Sequence, residues 1–310
     1  MKKIIFIIAL SNSFLTYCQN GGKSFINSFE QYQDLFNNPD EVYDVYFNLF
    51  QKADQDSIAK NGVRIDKFIN LSTFNFACQF EDSLLEAQVF SKLGVLPKLK
   101  NLSIRTKFQH QFQGFNHLKS LTLEKEVDLN NSHLASFQNI LNLGISTNPT
   151  TAVTSTSSVF ELPNVETIEI YGLNQSNFPF EKLSSFKKTH RIQLVNCEFA
   201  QIPESWGKLE LGTLNLTHTK IASISSDWIC NNSFNDHLDM QISVKEDVID
   251  VENCIINTPL ILLKISVEGT FDKKTMRQLR KLRKKIRRIN KSGNRKNEVW
   301  FEKRMEIHRY

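Results

Sequence analysis

Apolar positions in this chain recur in short blocks of fixed internal spacing. The clearest block sets Leu211, Leu214 and Leu216 among polar and small residues and continues into Thr219, Ile221 and Ile224. The same spacing appears in Thr189, Ile192 and Leu194, which lead to Cys197, Phe199, Ile202 and Pro203. It appears again in Val165, Ile168 and Ile170; in Ile140, Leu143 and Ile145; in Leu118, Leu121 and Leu123; and in Leu99, Leu102 and Ile104. From Leu99 onward these starts step by 19, 22, 25, 24 and 22 residues. Val42, Val45 and Phe47 form an upstream copy, and Asp66, Ile69 and Leu71 fit as another. Leu238 and Met240 after Asn235, then Leu260, Leu263 and Ile265, form downstream copies. Within each block the last two apolar residues flank a polar one, the period-2 signature of a short strand with one buried face. Only the 33-residue step from Asp66 to Leu99 is out of scale, and Asp82 to Leu93 inside it predicts an inserted amphipathic helix.

One such strand cannot bury its apolar side alone. Stacked units share a continuous core and set their strands side by side in a parallel sheet, which predicts a solenoid of about ten turns. The ninth residue of each unit, Asn148, Cys197, Thr219 or Ser243, is expected to point inward and hydrogen-bond the turn backbone, because unpaired buried amides are costly. Phe115, Phe137, Phe186 and Phe199 fall between strand motifs and are expected to form an interior spine.

The block LxxLxLxxTxIxxI at Leu211 and the unit from Thr189, with Cys197 at its ninth position and Ile202-Pro203 after it, resemble the leucine-rich-repeat family, whose unit is LxxLxLxxN/CxL at 20 to 29 residues. The resemblance covers about Val42 to Val267. It implies an α/β solenoid, a horseshoe with short parallel strands on the concave face. Lys107, Glu126 and Glu268 stand at the Asn/Cys position of their units, so those turns must satisfy their backbone groups in another way. An amphipathic helix from Phe29, followed by Asn38-Pro39-Asp40-Glu41-Val42-Tyr43, looks like the N-terminal start of bacterial members. The expected organisation is a signal peptide over 1–18, a helical N-terminal cap over 19–41, the repeats over 42–268 and a basic helical C-terminal cap over 269–310.

The variable positions of each unit would line the concave face. These are Thr167, Glu169 and Tyr171; Arg191, Gln193 and Val195; Thr213, Asn215 and Thr217; and His237, Asp239 and Gln241. Extended concave faces are how solenoids bind partners, and a surface mixing Arg, Tyr, His and Asp suits a protein or peptide. A solvated sheet face without a partner is the alternative.

Lys2 and Lys3 precede the apolar run Ile4 to Leu10, and a polar stretch ending in Thr16, Tyr17, Cys18 and Gln19 follows, the layout of a secretory signal peptide. The run is well short of the roughly 20 residues that span a bilayer. Cleavage after Cys18 leaves small residues at Cys18 and Thr16. The competing reading makes Cys18 a lipid-modified first residue, since Leu15 lies three positions ahead, and Tyr17 weighs against it. The protein is thus expected to be exported, to the periplasm, the cell surface or the medium. Cys78, Cys197, Cys230 and Cys254 then remain, and export permits disulfides. Buried free thiols are the first expectation, with a Cys230 to Cys254 bridge as the alternative.

Composition is that of a chain with a core: 40% hydrophobic, 23% charged, 11 Gly and 7 Pro in 310 residues. The charge is uneven. Residues 271–310 hold 16 basic and 4 acidic side chains, whereas the rest of the chain holds 22 and 29. Motifs for catalysis are missing. Gly22-Lys23-Ser24 looks like the end of a phosphate-binding loop, but Tyr17 stands where that loop needs glycine. HExxH, GxSxG, GxGxxG and DxDxDG are absent, and the seven His show no metal-ligand spacing. A noncatalytic protein without metal or cofactor is expected.

From Lys273 to Lys291, Met276, Leu279, Leu282, Ile286 and Ile289 make a narrow apolar stripe on a strongly basic helix. One reading is the C-terminal cap. A second is attachment to an anionic envelope surface or acidic polysaccharide through Arg277, Arg280, Lys281, Arg283, Lys284, Arg287 and Arg288. A third is nucleic acid, which export disfavours.

Overall fold

The computed structural model describes residues 23–49, 51–77, 80–146, 152–217, 219–223, 238–242 and 263–267, together with Arg277, Arg280, Lys281 and Lys284. The chain divides into two compact units, Met1–Ile140 and Leu141–Tyr310.

In the first unit five short strands follow one another: β1 (Lys23–Ile26), β2 (Asp44–Phe47), β3 (Thr73–Phe76), β4 (Asn101–Ile104) and β5 (Ser120–Leu123). Each is parallel to its chain neighbour and in register with it, so Val45, Phe74, Leu102 and Leu121 form one inward row. Ile26, Phe47, Phe76, Ile104 and Leu123 form the next. No residue of either row is more than 2% exposed. Behind the strands runs an aromatic spine. Phe47 touches Tyr32, Phe74, Phe76 and Phe80, and Phe76, Phe90, Phe112 and Phe137 continue it. Each such ring contributes about 2–3 kcal/mol by leaving water.

Three helices lie between the strands: α1 (Phe29–Asp34), α2 (Lys52–Asn61) and α3 (Ser83–Gly94). Ser28 caps α1 by accepting from the Gln31 amide at 3.3 Å, and the Gln31 side chain accepts from Asn27 N at 2.7 Å. Asp82 caps α3 through the Leu84 amide.

In the second unit β6 (Asn142–Ile145), β7 (Thr167–Tyr171), β8 (Arg191–Val195) and β10 (Thr213–Thr217) form a parallel ladder. Its inward rows are Leu143, Ile168, Ile192 and Leu214, and Ile145, Ile170, Leu194 and Leu216, none more than 1% exposed. A second parallel pair joins β9 (Glu198–Gln201) and β11 (Lys220–Ser223), and a third joins β12 (Leu238–Ile242) and β13 (Leu263–Val267). Phe160, Phe178, Phe180, Phe199 and Trp206 form a chain of ring contacts through this core, the first two edge to face and the last two tilted. The Trp206 indole donates to Phe180 O at 2.8 Å, which lets a large ring with one polar atom be wholly buried.

The repeat and its spine are therefore present, with Phe115, Phe137, Phe186 and Phe199 all buried. Two expectations need correction. The unit placed at Asp66, Ile69 and Leu71 is out of register. Asp66 sits in a 3-10 turn and Ile69 is 52% exposed, whereas Leu71, Phe74 and Phe76 carry the strand motif. Aromatic residues in place of aliphatic ones disguised it. With this change the steps from Val42 to Leu71 and from Leu71 to Leu99 are 29 and 28 residues. Those two long steps are the ones that hold α2 and α3; the steps of 22 to 25 residues close through 3-10 turns such as Ser132–Ser136, Phe180–Ser185 and Glu204–Lys208. The other correction concerns the start. The 19–41 segment contains the helix at Phe29, but strand β1 precedes it and already belongs to the ladder.

The ninth-position residues behave as their chemistry requires. The Cys197 thiol lies 3.6 Å from Ile170 O, and the Thr219 hydroxyl donates to Leu194 O at 3.1 Å; both residues are buried. Gly172 and Asn196 hold the preceding turn position at φ 72° and 55°, a conformation Gly and Asn tolerate. Where Glu126 replaces Asn or Cys, it takes φ 75° itself and turns outward to pair with Arg105 at 3.3 Å. In the Lys107 unit Thr106 does the inward work, its oxygen accepting from Phe108 N at 3.0 Å. Asn148, Ser243, Glu268, Cys78, Cys230, Cys254 and the segment around Cys18 lie outside the described residues.

Candidate functional site

Alternation along each strand decides which side chains face solvent, and parallel register decides which of them become neighbours. In the second unit this brings Thr167, Arg191 and Thr213 into one row, with Asn142 before them. Glu169, Gln193 and Asn215 form the next, with Gly144, and Tyr171, Val195 and Thr217 form a third. Tyr171 is 37% exposed and Arg191 is exposed, while Thr167, Glu169, Gln193, Thr213 and Asn215 are half-buried. Two bonds order the face: Tyr171 Oη donates to Glu169 Oε2 at 3.2 Å, and Arg191 Nη2 donates to Gln193 Oε1 at 3.4 Å. Partial desolvation and then the Glu169 carboxylate push the Tyr171 phenol above its ordinary range, so it stays a neutral donor through neutral pH.

Asp239 and Gln241 lie on β12, whose register sets Asp239 beside Lys264 and Gln241 beside Ser266. His237 lies outside the described residues. Asn142, Gly144 and Val195 complete the rows; Asn142 and Gly144 are missing from the expected site although they occupy the variable positions of the Ile140 unit. Of the basic tail, Arg277, Arg280, Lys281 and Lys284 are described, as exposed helical residues. Their spacing of i, i+3, i+4 and i+7 puts all four on one helix face. Arg283, Arg287 and Arg288 lie outside the described residues.

The first unit holds a polar cluster that the repeat pattern does not announce. Glu86, on the inner side of α3, is 1% exposed and bonds His110 Nε2 at 2.7 Å. The Thr106 hydroxyl also donates to the Glu86 carboxylate. Asn131 Nδ2 reaches His110 O at 3.4 Å, and the rings of Phe90 and Phe108 enclose the imidazole. Every partner belongs to α3 or to the connections of the Leu99 and Leu118 units, so the cluster fastens the inserted helix to the repeats that follow it. Among the described residues, no three His, Cys, Asp or Glu side chains converge on a position that could hold a metal ion. No helix among them is long and apolar enough to cross a membrane.

One strand per repeat, parallel and in register with an inward apolar row, makes each unit leucine-rich-repeat-like in fold. No family model matches the sequence, and no curated protein matches it. Among solved structures the chain is similar to a leucine-rich-repeat protein of Leptospira interrogans, with a TM-score of 0.46 and 12% sequence identity. That similarity spans 87% of this chain and 69% of the other.

Proposed function

We propose that the protein is an exported, noncatalytic binding module that recognises a protein or peptide through the solvent face of the second unit's ladder. The observation that carries this reading is the register itself. It joins Thr167, Arg191 and Thr213, and Glu169, Gln193 and Asn215, into continuous rows of polar side chains above an apolar core. Arg191 and Tyr171 stand proud of that surface, and Arg and Tyr are the residue types that dominate interface energetics. The test is capture of partners from envelope and extracellular material by the protein carrying Arg191→Ala or Tyr171→Ala. Loss of a partner that survives high salt on the unaltered protein supports the reading; unchanged capture by both variants overturns it.

A second reading is attachment to an anionic surface through the C-terminal helix, favoured by the common exposed face of Arg277, Arg280, Lys281 and Lys284. In that case retention on anionic vesicles falls steeply with salt and disappears when the four are changed to Gln. If the helix is instead a cap, the same change leaves retention alone.

A further inference from the structure

Charge is unevenly placed in the first unit. Residues 23–140 hold 12 basic and 14 acidic side chains, yet the stretch 87–123 within them holds six Lys or Arg and no Asp or Glu. Three of the six find partners. Lys92 pairs with Asp66 at 3.7 Å, Arg105 pairs with Glu126 at 3.3 Å, and Lys107 lies over the Phe108 ring, 5.2 Å from its centroid. The other three, Lys98, Lys100 and Lys119, gather with His117 where β4 and β5 begin, and all four side chains are exposed.

The repeat itself brings them together. Lys98 and Lys100 flank the buried Leu99, and His117 and Lys119 flank the buried Leu118, its equivalent in the next unit. The amides of Lys119 and Ser120 donate to Lys100 O at 2.8 and 2.9 Å, so Lys100 and Lys119 stand side by side on adjacent strands. Strands in a sheet lie about 5 Å apart, and like charges placed directly opposite at that spacing are destabilising. Among the described residues no acid relieves them. Lys98 Nζ donates to the neutral Asn70 Oδ1 at 2.6 Å, and the side chains of Lys100, His117 and Lys119 make no hydrogen bond or ion pair there. Asn70 and Ser72, which flank Leu71 in the preceding unit, are neutral, as are Thr73, Asn101 and Ser120 in the adjoining row. Asp44, which continues that row, accepts from Ser72 Oγ at 3.2 Å.

We propose that this corner of the first unit binds a phosphate group, held by Lys100 and Lys119 with His117 beside them. Two neighbouring ammonium groups without an acid call for an anion that concentrates more than one charge on one centre. A phosphate monoester does so, with a charge of about −1.5 to −2 at neutral pH and three acceptor oxygens. A carboxylate brings a single charge and leaves part of the repulsion in place. Lysine carries its charge as a compact point on a flexible stem, so two of them can close on one phosphate from adjacent strands. The site uses no residue of the second unit and does not depend on the partner proposed there.

The test is calorimetric titration of the full chain with inorganic phosphate and glucose 6-phosphate, with glucuronate as the carboxylate comparator. A second arm is flotation with phosphatidic acid vesicles, using the chain with Arg277, Arg280, Lys281 and Lys284 changed to Gln so that those four do not hold it there. Binding in at least one arm is expected, weakening as salt is raised. The double variant Lys100→Gln/Lys119→Gln should weaken it by about tenfold or more, and Lys98→Gln, whose ammonium is turned to Asn70, by less than about threefold. Binding in solution identifies a free phosphate or soluble ester as the source, and binding to vesicles alone identifies a lipid headgroup. With the repulsion removed, the double variant without ligand should melt no lower than the unaltered protein. The proposal is overturned if neither arm shows binding, if the double variant binds unchanged, or if glucuronate binds as tightly as glucose 6-phosphate. A double variant that melts several degrees lower also overturns it, because the lysines would then be part of the fold.

Discussion

Glu86 and His110 meet at 2.7 Å inside the first unit, and neither side chain is more than 6% exposed. One sits on the inserted helix α3 and the other in the connection that follows β4, so the contact spans two repeats. Buried polar pairs of this kind are costly to break from one side only, because the remaining partner keeps its desolvation penalty.

Glu86→Leu therefore removes the acceptor of both His110 and Thr106 and should lower unfolding stability by about 2–4 kcal/mol. His110→Phe alone should cost comparably. The double variant should lose less than the two together by at least about 1 kcal/mol, read from urea unfolding of the four proteins as a double-mutant cycle. Additive losses would show that the two residues are not coupled.

Gly94 ends α3 against the next connection with no room to spare. A Cβ added there would lie 2.1 Å from Gln113 O, and one added at Gly114, where φ is 83°, would lie 2.8 Å from Gly94 O. Both neighbours are backbone, so relief requires the chain itself to move. Gly94→Ala should cost about 1–3 kcal/mol. Gly62→Ala, at φ 81° with nothing within 4 Å, should cost about 1 kcal/mol, from backbone strain alone. Thermal melts of the two variants, with the larger fall for Gly94→Ala, check this.

Phe47 lies where α1 and the β2 and β3 repeats converge, in ring contact with Tyr32, Phe74, Phe76 and Phe80. Phe47→Ala opens a cavity that strands on both sides cannot fill and should cost about 3–5 kcal/mol. Phe47→Leu should cost less than half of that. Lys52→Gln, which removes an exposed ion pair to Glu81, should leave the melting temperature unchanged and serves as the surface control.

Cys197 is buried, and that burial pushes its thiol above the ordinary value of 9.0. The unfolded chain ionises first as pH rises, so it binds fewer protons there than the folded chain does. The thiol's contribution to stability is accordingly whole at neutral pH, begins to fall near the ordinary value and is lost as pH rises through the higher folded one. A disulfide reagent at pH 7.5 should label Cys197 slowly in the native protein and rapidly in denaturant. Fast native labelling would contradict the inward placement. Cys197→Ser should preserve the turn, since a hydroxyl fills the same role at Thr219.

Much of this architecture is legible from residue types at fixed spacing. Leu211, Leu214 and Leu216 announce a strand because the apolar residues alternate with polar ones, and Thr219 announces the turn because a hydroxyl at the ninth position of the unit can satisfy a buried carbonyl. Leu71, Phe74 and Phe76 were harder to read. Aromatic rings hold the same inward positions as leucine, and Ile69 offered a competing aliphatic residue that in fact faces water. The polar rows of the second unit follow from the same alternation. The Phe25–Tyr46 stack of the first was hidden because β1 lies in a stretch whose evident signal was the helix that follows it.

By itself the sequence determined the repeat, the inserted helix at Asp82, the inward spine of Phe residues and the variable positions of the strands, because each depends on local periodicity. Tertiary structure alone decided that Phe25 stacks on Tyr46, that Glu86 finds His110 and Thr106, and that Gly94 must yield to Gln113. Those partners are separated by about 20 residues in the chain, and their meeting is set by strand register and by how each connection folds back, which no local period encodes.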